Sequence, residues 1–456
     1  MVTSLEGLGD RRLDATFNVL VKRVSDVGRL VIRKLAYGRW EEVKFGRFLS
    51  NKRFTFSDMI DSAVQLLDPV CAGRDVLLIE DSSEVSFGYE PFQQGLAAVG
   101  NGKEEGFYLH PVIAMDADDN LCLGLAALEL FKRKTSTCAL RDKLPFEAKQ
   151  SYRWLSAARS ARSACMSARR HTVVTDREGD IYEALCGYGD SSLDFVVRCW
   201  HDRTLEKNAD VPSLWQFINT WPVALLYSCP LPRTDKRSAH EARLQLKYGQ
   251  VNLPRPERIK GNSPEFLPIY VVEVCEEDAT VVNNEKPVHW ILLTSHEVKN
   301  AETARLIVSY YSKRWNIEQV FRLLKSQGLQ IQHALQHSFE SLTKVAVLGL
   351  IAALRVLQLV TARQHSKATM DMAFDEKQIQ LIEILSPTLE GKTLIQKNPH
   401  PKHTLAFAAW VIARLGGWKG YSKSERPPGP ITMFNGLRKF QHYLEAYSLF
   451  AKLNDT

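Results

Sequence analysis

The sequence predicts a mixed α/β fold, a sheet with helices on its faces and further helical segments at both ends of the chain. Two patterns carry this. Short apolar runs bounded by turn or acidic residues recur at 75–80, 107–115, 121–130, 172–175 and 195–199, as buried strands do. Stretches of helical spacing lie at about 146–169 and 181–185, so the order is three strands, helix, strand, helix, strand. Size and composition agree: 456 residues leave room for about three domains, and 45% apolar with 24% charged residues excludes wholesale disorder.

Taken in order, residues 8–70 carry short helical patterns in which cations alternate with aromatics, among them Arg39, Trp40, Lys44, Phe45, Arg47, Phe48, Arg53 and Phe54. The run 75–80 is apolar between acidic ends, the pattern of a strand covered on both faces. The runs 107–115 and 121–130 follow as a pair joined by a polar turn. The helix expected over 146–169 is studded with Arg153, Arg159, Arg162 and Arg169. The stretch 205–295 has a different texture, with β-rich runs at 223–227, 242–246, 269–274 and 289–293 and Pro-rich, charged loops at 230–237 and 254–264. It is expected to be a β insertion. One continuous helix is expected over 301–326 and a second over 341–363, then a linker over 366–400 and a helical segment over 401–450.

Charge is uneven along the chain. Lys and Arg number 59 against 52 Asp and Glu, a net +7. Residues 391–456 hold ten cations against three acids, and residues 1–70 hold twelve against nine. Basic ends around a slightly acidic middle point to polyanion contacts at both termini. The eight cysteines (71, 122, 138, 165, 186, 199, 229 and 275) form no C-x-x-C pair and sit mostly in apolar runs, as buried free thiols do. Residues 1–14 lack the apolar core of a signal peptide. The longest apolar run, 345–354, is too short to span a bilayer. A cytosolic protein with no membrane contact is the expectation, and no P-loop motif marks a nucleotide cofactor.

The sharpest chemical signal is YYSKRWNIEQVFRLLK. At about 100° per residue and with Glu318 at zero, Tyr311, Arg314 and Lys325 fall near +20°, −40° and −20°. Ile317, Val320 and Leu324 lie on a different stripe, so the polar one is clear of the core face. A carboxylate flanked by a phenol and two cations suits a metal ligand beside phosphate clamps; a solvated face with ordinary ion pairs is the plain alternative. Asp81 ends DVLLIED and Asp176 ends VVTD, and strand-end acids at a strand-to-loop step are where α/β sheets place their sites. Asp180 is explained as a turn or capping residue. Glu80, Glu84 and Glu178 compete locally, and spacing by itself leaves the ligand set open. Two strand-end acids and one helix acid suffice for two Mg²⁺ held by oxygen alone, about 3.5–4 Å apart. His333 and His337 have H-x-x-x-H spacing but follow the Glu318 segment, a poor position for ligands.

IEDSS, VVTDREGDIY and the Y-x-x-R-x-x-x-E-x-x-x-x-x-x-K pattern together resemble the bacterial DDE transposases of the IS-four type, and within them the Tn-five transposase subgroup. LGDRR near the N-terminus, HWILLTS before the third acid and AFAAWVIARLGGW near the C-terminus are similar to that subgroup, so the resemblance runs from about residue 8 to 445. It selects Asp81, Asp176 and Glu318 as the catalytic, metal-holding triad. It implies that Tyr311, Arg314 and Lys325 grip the phosphate beside a flipped base, that Trp290 stacks that base, and that Arg198 lies near the bound DNA, with Trp315 a weaker candidate of the same kind. Such stacking is worth about 1–3 kcal/mol per base. His110 falls in a matching strand and is taken as structural. Gly179 stands where the family usually has Ala, a change expected to be harmless at a helix start.

The resemblance further implies an RNase H-like catalytic domain over 71–365, interrupted by the β insertion. An N-terminal DNA-recognition domain (1–70) and a C-terminal dimerisation domain (366–456) would flank it. The implied activity is cut-and-paste transposition by a homodimer acting on double-stranded DNA, both transposon-end inverted repeats and target. The implied cofactor is Mg²⁺, two per site, with Mn²⁺ able to substitute. The implied location is the nucleoid of a bacterial cytoplasm. An RNase H-like nuclease without strand transfer and a transposase-derived DNA-binding regulator are the competing readings.

Overall fold

The computed structural model describes residues 5–87, 94–132, 144–205, 213–233, 237–259, 263–283, 285–363, 368–421 and 426–454. Cys138 lies outside them; the other seven cysteines are free thiols.

Eleven strands form one sheet: β1 (Asp75–Glu80), β2 (Ser83–Ser86), β3 (Ala97–Val99), β4 (Glu104–Asp116), β5 (Cys122–Phe131), β6 (Arg170–Thr175), β7 (Asp194–Arg198), β8 (Leu225–Leu231), β9 (His240–Pro254), β10 (Phe266–Glu276) and β11 (His289–Thr294). Their order is β2-β4-β1-β6-β7-β11-β10-β9-β8, with β3 and β5 pairing β4. Only β1, β6 and β7 run parallel to one another; every other ladder is antiparallel. This is the mixed α/β architecture that the strand and helix pattern predicts, consistent with an RNase H-like fold. The insertion does not form a separate layer. Strands β8–β10 enter between β7 and β11 in sequence, but β11 pairs β7 directly, so they extend the same sheet at its edge.

Buried parallel strands explain the continuous apolar runs: β1 is buried from Val76 through Glu80 and β6 from His171 through Thr175. At the edge, β8 alternates between partly buried and exposed positions, as a strand covered on one face does.

Two helical expectations outside the 301–326 segment need correction. The helix expected over 146–169 is an α-helix only over Arg153–Ser163; after Pro145 come two 3₁₀ turns, Phe146–Ala148 and Gln150–Tyr152, separated by extended Lys149. It stops early because the carboxylate of Asp68 accepts from Ser167 N and Oγ, both at 2.7 Å, and turns the chain back toward β6. The expected linker over 366–400 holds a helix, Glu376–Leu389, started by a capping box in which Asp375 and Gln378 satisfy each other's backbone N–H groups.

The helix Phe339–Ala362 organises the remainder. It is long and apolar enough to cross a bilayer, yet 72% of its most apolar window is buried inside the chain. Around it pack the N-terminal helices Arg11–Val27 and Phe56–Val64, strand β5, the helix Trp315–Leu324, and the C-terminal helices Leu405–Leu415 and Pro430–Asn454. Two cations interrupt its apolar run and both meet partners within the protein, although the buried Nε of Arg355 has no acceptor among the described residues. Lys344 Nζ donates to the Asn51 carbonyl at 2.5 Å and sits 3.9 Å from the Phe54 ring centre. Arg355 lies over Phe374 and donates to Gln378 Oε1.

Gly349 is the point of closest approach to the Glu318-bearing helix. A Cβ there would lie 2.6 Å from Leu324 Cδ1 and 2.9 Å from Leu30 Cδ1. Gly349→Val is therefore expected to cost about 1–3 kcal/mol in denaturant unfolding. Gly46→Ala, in the helix Arg39–Leu49 where an added Cβ meets nothing within 4 Å, is expected to stabilise by about 0.5–1 kcal/mol.

Candidate active site

The parallel register sets the site. Ile79 pairs with Val174, so one step beyond each strand the chain reaches Asp81 and Asp176 side by side, at the carboxyl ends of neighbouring strands. Each carboxylate is oriented by a backbone N–H: Ser82 N donates to Asp81 Oδ1 at 2.7 Å, and Glu178 N to Asp176 Oδ1 at 2.9 Å. Asp176 thereby caps the 3₁₀ turn Arg177–Gly179.

Glu318 reaches this corner from a broken helix. The single helix expected over 301–326 is two, Ala301–Ser312 and Trp315–Leu324. Between them Arg314 N bonds Tyr311 O, Asn316 N bonds Lys313 O and Ile317 N bonds Arg314 O, so the backbone tightens to i→i+3 pairing. The side chains are drawn the same way, Lys313 Nζ onto the Ala117 carbonyl and Arg314 onto Asp81. The common stripe expected from an unbroken 3.6-residue period is replaced by a corner. Arg314 stands at that corner and donates through Nη1 to Asp81 Oδ2 at 2.9 Å and through Nη2 to Glu318 Oε1 at 2.5 Å. Among the described residues no three acidic, His or Cys side chains converge as a ready-made cation cage; the guanidinium stands between the first and third acids.

Electrostatics mark the same place. Burial, then the charge of Asp176, pushes the Asp81 carboxyl up to about 7, against the opposing pull of Arg314. The oxygen-only donor set and this like-charge strain both fit a divalent cation, which would relieve the repulsion between the two acids.

The other expected residues fall around this corner in different ways. Tyr311 is buried, with its ring edge-on to Trp290 at 5.0 Å and the Arg314 guanidinium 6.0 Å from its ring centre. Burial raises its hydroxyl pKa, opposed by Arg314 and Arg198. Trp290 is half-buried on β11, and Arg198 ends the adjoining β7 with Nη2 on the His289 carbonyl at 3.1 Å. Lys325 ends the Glu318 helix and donates to Ser83 Oγ at 2.9 Å, two residues past Asp81. Trp315 is exposed and stacks under Arg322, with no described contact to the three acids.

The local competitors separate by burial. Glu80 is wholly buried on the opposite side of its strand from Asp81, while Glu178 points outward and pairs with Arg153 at 3.0 Å. Asp180 is buried, accepts from Trp200 N and His201 N at 2.7 and 3.1 Å, and pairs with Arg203, so it ties the chain after β7 to the Asp176 loop. His110 is buried against Trp154 and bonds Glu80 and Ser82. Gly179 is more constrained than expected: a Cβ there would lie 2.1 Å from Oγ1 of fully buried Thr175. Sequence reasoning missed Arg153, whose partners are 71 and 25 residues away, a separation with no local pattern.

A family model described as a transposase DDE domain matches residues 200–355. The match takes in β8–β11, the Glu318 helix and most of the central helix; Asp81 and Asp176 precede it. It supports a DDE transposase family and a transposase role for the chain.

Two outcomes test this geometry. Gly179→Ala is expected to destabilise by about 1–3 kcal/mol, and Thr175→Ala in the same chain to recover most of the loss. In metal-free protein the raised Asp81 pKa favours the folded state at low pH, and that contribution disappears as pH climbs from about 4 to about 7. Asp81→Asn should therefore raise the unfolding free energy measured in denaturant at pH 8, by up to roughly 4 kcal/mol, and change it little at pH 4.

Proposed function

We propose that this chain is a cut-and-paste DNA transposase of the IS-four type, close to the Tn-five subgroup, with Asp81, Asp176 and Glu318 as its metal-holding catalytic acids. The reading is carried by one observation: two acids end adjacent parallel strands, and Arg314 joins the first of them to the third. The transposase DDE match, which contains Glu318, supports it independently. Two Mg²⁺, or Mn²⁺ in their place, would supply an activated water or 3′-hydroxyl and stabilise the departing oxygen.

The chain's own groups do the remainder. Asp81 and Asp176 take their orientation from Ser82 N and Glu178 N. Among the described residues the buried Nε of Arg314 has no acceptor and its two Nη groups are engaged by carboxylates. Asp81 and Glu318 would hold the cations once released by Arg314, whose fork would then be free to take a DNA phosphate, as Lys325 beside Ser83 would take a second oxygen. Trp290, set edge-on against Tyr311 and half exposed, offers a face to an unstacked base at the transposon end. Hydrolytic nicking there would free a 3′-hydroxyl, which attacks the opposite strand to give a hairpin. Hairpin opening and joining to target DNA follow at the same acids. Residues 1–70 serve as the DNA-recognition domain, 71–365 as the catalytic domain and 366–456 as the dimerisation domain of a homodimer that works on the DNA of a bacterial nucleoid.

The test is cleavage of a labelled duplex carrying the element's own end, with Mg²⁺. Wild-type protein is expected to nick and then form a hairpin; Asp81→Ala, Asp176→Ala and Glu318→Ala should each lose at least about 10³-fold in rate while still binding the duplex. Trp290→Ala is expected to nick normally and fail at the hairpin. Nicking without a hairpin in wild type would indicate a nuclease, and tight binding without cleavage a regulator.

A further inference from the structure

A bridge of hydrogen bonds links the loops that carry the first two acids. Ser82 holds Asp81 through its backbone N–H, and Glu178 holds Asp176 in the same way, at 2.7 and 2.9 Å. The side chains of these two holders are joined by one residue, Arg153, from the first turn of the helix Arg153–Ser163. Its Nε donates to Ser82 Oγ at 3.1 Å and its Nη2 to Glu178 Oε2 at 3.0 Å. The Arg153 side chain is only 14% exposed, and its Nη1 is fixed on the Gln150 carbonyl at 3.0 Å. The guanidinium also lies 5.0 Å from the Phe131 ring centre and 5.3 Å from that of Trp154.

Behind this bridge the Ser82 end is anchored in the core. Ser82 Oγ bonds His110 Nδ1 at 2.9 Å, His110 Nε2 bonds Glu80 Oε2 at 3.2 Å, and Tyr188 Oη donates to Glu80 Oε1 at 3.2 Å. Glu80, His110 and Tyr188 are fully buried. A fixed chain thus runs from the helix Tyr182–Asp190 through β1 and β4 to the surface at Glu178.

We propose that Arg153 is a positioning residue that sets the separation of Asp81 and Asp176, and hence their affinity for a divalent cation. The inference rests on the assignment of those two acids as metal ligands. Partners behind the direct ligands commonly tune metal affinity by about 10–100-fold, because an untethered carboxylate spends less time in the binding geometry.

Charge and position make opposite demands, which allows a clean test. Removing a cation beside a metal site strengthens cation binding by Coulomb attraction; removing a tether weakens it. The measurement is Mn²⁺ bound by the full chain on its DNA end, from the electron paramagnetic resonance signal of free Mn²⁺, with Asp81→Asn as control. Arg153→Gln is expected to weaken Mn²⁺ binding about 10–100-fold with DNA affinity unchanged. Arg153→Lys keeps the charge but not the fork and should not rescue it. Ser82→Ala removes the same link, together with the bond to His110, without altering charge, and should weaken binding in the same direction if Arg153→Gln fails to fold. Wild-type binding that depends on Asp81, with Arg153→Gln or Ser82→Ala equal to or tighter than wild type, would overturn the inference alone. Absence of Asp81-dependent binding in wild type would overturn the assignment of the acids and this inference with it.

Discussion

The structure depends on one register. Because β1 and β6 run parallel and in step, the aspartates that follow them arrive side by side in one corner. Two like charges there repel, and the protein answers with Arg314, which reaches across from a separate helix to the first acid and to Glu318. Asp81 is desolvated beside a second carboxylate and a guanidinium, and on that arrangement we base the proposed divalent-cation site. The remaining architecture serves to hold that corner still.

Holding it still falls to two layers. In front, Asp180 and Arg203 clamp the chain after β7 onto the Asp176 loop, and Gly179 lets that loop pass over Thr175 where any side chain would collide. Behind, the central helix Phe339–Ala362 presses on the Glu318 helix at Gly349, where the absent side chain permits close approach. Its length and apolarity arise from burial on nearly all sides, which explains how a core helix can have a membrane-like composition. Lys344 and Arg355 survive within it because a carbonyl and aromatic faces replace their water.

Much of the sheet was legible because its central strands are covered on both faces and so appear as unbroken apolar runs. Strand positions at 75–80, 172–175 and 195–199 match β1, β6 and β7 to within about two residues. Helix limits were less legible. Nothing in the apolar period of 301–326 marks the change to i→i+3 pairing at Arg314, since side chains more than 190 residues away draw the backbone there. The Glu376–Leu389 helix escaped because its polar and proline content outweighed a capping box that is visible as D-x-x-Q.

By itself the sequence determined the residue types and their local order: acids at the ends of two apolar runs, and a Tyr, Arg, Glu and Lys at fixed spacing. Those are properties of short segments, where strand and helix periods act. Only the tertiary structure decided that the two acids meet, that Arg314 bridges the first and third, that Glu80 turns into the core while Asp81 turns out, and that Arg153 links the two loops. Each of these is a contact between segments far apart in the chain, fixed by sheet register and side-chain packing, and no local period encodes it.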